Sequence, residues 1–186
     1  MRQLRSIFGG LAAAFFVAVL AGCSSLSELS VDQAADRLVE AATPEERAVR
    51  LVGLTAAACE LMQSKGAAME AKPACLALHG IVDTVEAAVD DVTGFETAIA
   101  RAAVPGGELL AQYGAVTGQN VMDAAATANP AVIALAFVRG AARVPASHGA
   151  VKDLGNTIAA MRDGSLLFED AMGAQRAKLD AVLARF

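Results

Sequence analysis

Cys59 and Cys75 are the pair whose type and spacing most directly suggest chemistry. Each lies on the apolar seam of a helical pattern, and each is eight residues from Ala67, so folding one segment back on the other brings the two thiols level. In an oxidising compartment such a pair forms a disulfide, and closing a loop of this size contributes roughly 3 kcal/mol in the chain-entropy model. The alternative is two buried thiols packing as small hydrophobes. Redox exchange is disfavoured, because no Cys-x-x-Cys spacing is present to lower a thiol pKa.

His79, Asp83, Glu86 and Asp90 recur at three- and four-residue spacing, which places them in one narrow stripe along a helix. Imidazole and carboxylate groups are metal ligands, but one histidine on a single helix lacks the converging ligands that a metal site needs. No metal is therefore expected. The stripe reads either as a solvated face or as a candidate partner-binding face. His148 falls in a Pro145 to Gly149 stretch expected to be a loop, with no partner that the sequence assigns. His-Glu-x-x-His, Gly-x-Ser-x-Gly and Gly-x-x-x-x-Gly-Lys are all missing, so the motifs of metalloproteases, serine hydrolases and phosphate-cradling loops are not in play. The expectation is no enzyme and no cofactor.

The third cysteine belongs to a different pattern. Arg2 and Arg5 precede an apolar stretch from Ile7 to Leu20, broken only by Gly9 and Gly10, and the small residues Ala21 and Gly22 follow. This is the layout of a secretory signal, and it is too short for a comfortable membrane span of roughly 20 apolar residues. Leu20-Ala21-Gly22-Cys23 resembles the lipobox of bacterial lipoproteins. The resemblance implies cleavage before Cys23, acylation of that cysteine with palmitate-type chains, and attachment to the periplasmic side of the cell envelope. It also implies that Ser24, which is not an aspartate, favours the outer membrane over the inner. More than one acyl chain gives stable anchoring, since each buried methylene contributes about 0.8 kcal/mol. The expected organisation is a signal peptide over 1–22, a lipidated cysteine and short tether over 23–30, and a domain over 31–186.

Composition narrows what that domain does. The chain has 15 basic and 20 acidic residues, and losing Arg2 and Arg5 would leave it more acidic still. An acidic chain without a basic run is poorly suited to nucleic acid or to anionic headgroups. Aromatic residues make up 4%, with no Trp and one Tyr, Tyr113, which disfavours carbohydrate binding by stacking. Alanine supplies much of the apolar content, and alanine is the strongest helix former.

The elements that must position these residues read as helices throughout. Ser30 with Gln33 forms a capping box ahead of Val31, Ala34, Ala35, Leu38 and Val39. Thr43-Pro44-Glu45-Glu46 starts a second helix, with Ala48, Leu51, Val52, Thr55, Ala58, Cys59 and Met62 on one face and an end near Gly66. Lys72-Pro73 is expected to restart the chain, leading into a seam of Cys75, Leu78, Val82, Val85, Val89 and Val92. Val104-Pro105-Gly106-Gly107 is expected to break the next helix. Gly114 and Gly118 mark either close packing or a bend. Ala131 to Val138 is apolar without interruption, the pattern of a helix surrounded by others, and is expected to form the centre. A modest helix over Val151 to Met161 and an amphipathic one carrying Phe168, Met172, Leu179, Val182, Leu183 and Phe186 complete the chain. No strand pattern is present. The fold class is all-α, a compact bundle of about six or seven helices.

The function expected is that of a non-enzymatic envelope lipoprotein with a structural or adaptor role, its partners being the membrane, through lipid on Cys23, and an envelope protein. The alternative is a carrier for a lipophilic small molecule, suggested by the apolar Ala131 to Val138 helix and by Met62, Met69, Met122, Met161 and Met172, which suit an adaptable lining.

Overall fold

The computed structural model describes residues 28–186 apart from 41, 118, 128 and 129. The expected signal segment, the lipobox and Cys23 lie outside the described residues. Eight α-helices and no strand are found among them: α1 (Val31–Val39), α2 (Pro44–Ser64), α3 (Ala68–Ala87), α4 (Val92–Thr117), α5 (Gln119–Ala126), α6 (Pro130–Ala142), α7 (His148–Arg162) and α8 (Phe168–Leu183). The fold is an all-α bundle. None of the described helices is long and apolar enough to cross a membrane.

Caps fix the helix ends where the sequence places them. The Gln33 N–H donates to Ser30 Oγ at 3.2 Å and the Ser30 N–H donates to Gln33 Oε1 at 3.0 Å, so two donors at the helix start are satisfied reciprocally. Thr43 Oγ1 accepts from the Glu46 N–H at 3.3 Å with Pro44 at the first helical position. After α2, Gly66 adopts φ +80°, and after α7, Gly164 adopts φ +77°, the left-handed conformation that glycine takes without a steric penalty.

Two expected breaks are not breaks. Pro73 lies inside α3, which already begins at Ala68, and Pro105 lies inside α4. A proline frees the carbonyl four residues back. Those residues are Met69 and Arg101, both exposed, on the side of each helix where water is at hand. Gly106 and Gly107 follow inside the same helix. Gly114 proves to be a point of close packing: a Cβ there would meet the Met122 side chain of α5 at 2.8 Å.

The centre of the bundle is α2, not α6. It packs against α3, α4, α6, α7 and α8 and buries Val49, Val52, Leu54, Ala56, Leu61 and Met62 around its circumference. In α6, Val132 is 40% exposed and Leu135 only partly buried, so its apolar run is not enclosed. The sequence masked α2 because Glu46, Arg47 and Arg50 interrupt its apolar pattern, although two of these three are buried. The α3 seam holds from Cys75 through Val89, all buried. It ends there, since α3 stops at Ala87 and Val92 is 71% exposed.

The end of the expected tether is part of the domain. The Leu29 N–H donates to Asn156 Oδ1 at 3.2 Å, and Glu28 pairs with Lys152 at 2.7 Å. Both contacts lie against α7.

Candidate functional site

An apolar cavity of about 400 Å³ opens between α1, α2, α4 and α6, within the range of roughly 300–1,000 Å³ typical of small-molecule sites. The end of α1 contributes Leu38, Val39 and Glu40, and α2 contributes Arg47, Arg50, Leu51, Leu54 and Thr55. Ile99, Ala102, Ala103, Leu109 and Leu110 of α4, Leu135 and Phe137 of α6 and Leu78 of α3 also line the cavity. Behind Phe137 lies the fully buried Tyr113 ring, its centroid 5.0 Å away. Burial pushes the Tyr113 phenol up to about 12, so it is neutral at any ordinary pH. The Thr55 hydroxyl donates back to the Leu51 carbonyl at 2.7 Å, which occupies its only hydrogen.

Polar character is concentrated where α1 meets α2. Arg50 is 8% exposed. Its Nη1 donates to the carbonyls of Leu38 at 3.1 Å and Glu40 at 2.8 Å, and its Nη2 donates to Glu46 Oε2 at 3.0 Å. The Nε–H is buried and meets no acceptor among the described residues. Burial lowers the Arg50 guanidinium from its ordinary value, while Glu46 acts to raise it; a guanidinium nevertheless stays charged in proteins. Glu46 is shared, because Arg162 of α7 donates Nε to its Oε1 at 2.9 Å and Nη2 to its Oε2 at 3.0 Å. Arg162 also reaches Glu40, which pairs in turn with Arg37 at 3.2 Å. Beside the cavity, Arg47 pairs with Glu96 at 2.7 Å and lies 5.1 Å from the Phe95 ring centroid, a cation–π distance.

The residues singled out by sequence lie elsewhere. Cys59 and Cys75 form a disulfide between α2 and α3 with a Cα–Cα distance of 6.1 Å, and both are fully buried. The stripe on α3 faces α8. His79 Nε2 lies 2.7 Å from Asp180 Oδ1, and Arg176 donates to Glu86 Oε2 at 3.0 Å and to Asp83. Asp90 falls in the turn after α3, exposed, and joins none of these pairs. His148 opens α7 instead of sitting in a loop, with Nε2 2.9 Å from the Ala142 carbonyl. Neither histidine lines the cavity, and no metal-holding cluster occurs among the described residues.

Of the features that suggested a carrier, α6 does line the cavity, but none of the five methionines does. Met62 and Met172 are core, whereas Met69 and Met122 are exposed. Sequence reasoning missed Arg50 and the role of Glu46. A signal was present: Glu46 and Arg50 have the four-residue spacing, acid first, of a helical ion pair, and Arg50 sits between apolar neighbours.

Comparison with known proteins finds no match: no family model, no curated protein and no solved structure aligns with the chain.

Proposed function

We propose that this chain is a non-enzymatic, membrane-tethered helical protein that binds a lipophilic small molecule. The observation that carries the reading is the cavity of about 400 Å³ walled by aliphatic side chains and Phe137. Ala102 and Ala103, 4% and 6% exposed, line it from one continuous helix and leave room that larger residues would fill. His79, Asp83 and Glu86 pair with α8 within the same chain, so the stripe adds no support of its own to an adaptor role. His79 does meet a carboxylate from another helix, but that pair is exposed on the surface, away from the cavity.

Tethering rests on the lipobox resemblance. Docking of Glu28 and Leu29 on α7 would leave only residues 24–27 between the lipid and the domain, five residue steps from Cys23 to Glu28 and a reach of at most roughly 18 Å. The cavity would then work close to the bilayer, where lipophilic molecules partition. Radiolabelled palmitate fed to host cells should be incorporated into the wild-type chain and not into Cys23→Ser; equal labelling of both would remove the anchor.

Binding is tested with a photoactivatable long-chain alcohol added to membranes carrying the full chain. Labelled peptides should map to residues 99–110 and 135–137, and Ala103→Phe should reduce labelling while the protein stays folded. Labelling spread evenly over the exposed helices would overturn the carrier reading.

A further inference from the structure

Resting on the carrier reading, we propose that the cavity takes an uncharged lipophile of the fatty-alcohol or fatty-ester class and excludes amphiphiles whose headgroup carries a charge of either sign. The exclusion comes from the wall, where Glu40, Arg47 and Arg50 set both signs against a charged headgroup.

Three features of the lining converge on this ligand. First, charges of both signs line the same cavity, the Glu40 carboxylate together with the Arg47 and Arg50 guanidiniums. An anionic headgroup is repelled by Glu40 and a cationic one by the two arginines. Second, each of these three groups is already engaged within the chain. Glu40 pairs with Arg37 and Arg162, and Arg47 pairs with Glu96. Arg50 pairs with Glu46 and also donates to the Leu38 and Glu40 carbonyls. A charged ligand would have to break one of these pairs to replace its lost hydration, and a desolvated ion without a partner is far more costly than a desolvated hydroxyl or ester. Third, the rest of the wall suits hydrocarbon. The Thr55 hydroxyl donates its hydrogen to the Leu51 carbonyl, and every other lining residue is aliphatic, Gly106 or Phe137. An alkyl chain matches that surface. A phosphate, sugar or peptide headgroup would leave several polar groups unmet there, whereas a single hydroxyl or ester leaves few.

The test is equilibrium dialysis of the full chain, held soluble by an uncharged amphipathic polymer, at about pH 8, where a carboxylate is ionised. The probes are radiolabelled dodecanol, methyl dodecanoate, dodecanoate and dodecyltrimethylammonium below their micelle concentrations, with protein-free polymer as the blank. Each neutral probe should bind roughly tenfold or more tightly than either ion. Because neutral chains prefer any apolar surface, two variants read the part played by the wall. Glu40→Gln should narrow the gap between dodecanoate and its methyl ester by roughly threefold or more, and Arg47→Gln should narrow that between dodecyltrimethylammonium and dodecanol to a similar extent. The two act on opposite ions, so either one reads the wall if the other fails to fold. An ion bound as tightly as the neutral probes, or gaps that the variants leave unchanged, would overturn the exclusion by the wall while leaving a carrier. Binding of none of the four probes would overturn the carrier itself.

Discussion

Glu46 is a buried carboxylate held between two guanidiniums, Arg50 on its own helix and Arg162 on α7. Removing one partner of a buried pair leaves the other charge uncompensated, which costs more than the pair contributes when intact. Glu46→Ala should therefore destabilise the fold by about 3 kcal/mol in urea unfolding. Glu46→Ala combined with Arg50→Met should cost clearly less than the sum of the two single changes; additivity within about 0.5 kcal/mol would show the pair uncoupled. Glu40 supports a pH prediction at the same corner. The hydrogen bond from Arg162, with a smaller contribution from Arg37, holds the Glu40 carboxyl below its ordinary 4.5. A carboxyl lowered in this way stabilises the fold above its ordinary value and loses that contribution as pH falls through the folded-state value. Stability measured at successive pH values should fall below about pH 4.5, and less steeply in Glu40→Gln; an unchanged acid limb would mean that the exposed pair contributes nothing. The sequence identified Glu46 only as an acid at the start of a helix. Its burial depends on Arg162, more than a hundred residues away, and local pattern carries no information about that distance.

Among the elements, α1 and α7 cross closely at Gly155. A Cβ built on Gly155 would lie 2.5 Å from Ala34 Cβ and 2.7 Å from Ala34 Cα, so the α1 backbone itself would have to move. Gly155→Ala should cost about 1–3 kcal/mol, as overpacking does, even though alanine is the better helix former. Gly173 on α8 has open space around its missing side chain, and Gly173→Ala should instead stabilise by about 0.5–1 kcal/mol. Thermal unfolding of both variants separates the effects; a stabilised Gly155→Ala would mean the helices are further apart than described. Helix starts were legible because caps are local: Ser30 and Thr43 both accept the N–H that their spacing implies. Pro73 and Pro105 were misread for the same reason. Proline's local preference is to end a helix, but flanking turns packed into the core at Cys75 and Leu78, or Ala102 and Leu109, keep the helix continuous through it.

At the scale of the molecule, the cavity was legible only in part: the apolar run of α6 that suggested a carrier lines it, but its position and size were not readable. Empty space depends on the separation between helices, and no single helix encodes that in its apolar pattern. The disulfide was legible because two seams and a short connection suffice to bring Cys59 and Cys75 level. Its energetic reach exceeds its locality, since it ties α3 to α2, the helix on which α4, α6, α7 and α8 also pack. Loss of the cross-link relaxes the unfolded chain as a whole, so Cys59→Ala with Cys75→Ala should lower global stability by about 3 kcal/mol, with one cooperative transition retained. Both sulfurs are inaccessible in the folded state, and thiolate attack needs access to the bond. Dithiothreitol should consequently reduce the native protein only as fast as the α2–α3 region opens. Urea below the unfolding midpoint should speed that reduction in proportion to the fall in stability. Reduction that is rapid in plain buffer and indifferent to urea would show that α2 and α3 separate locally, and that the bundle does not open as a single unit around its central helix.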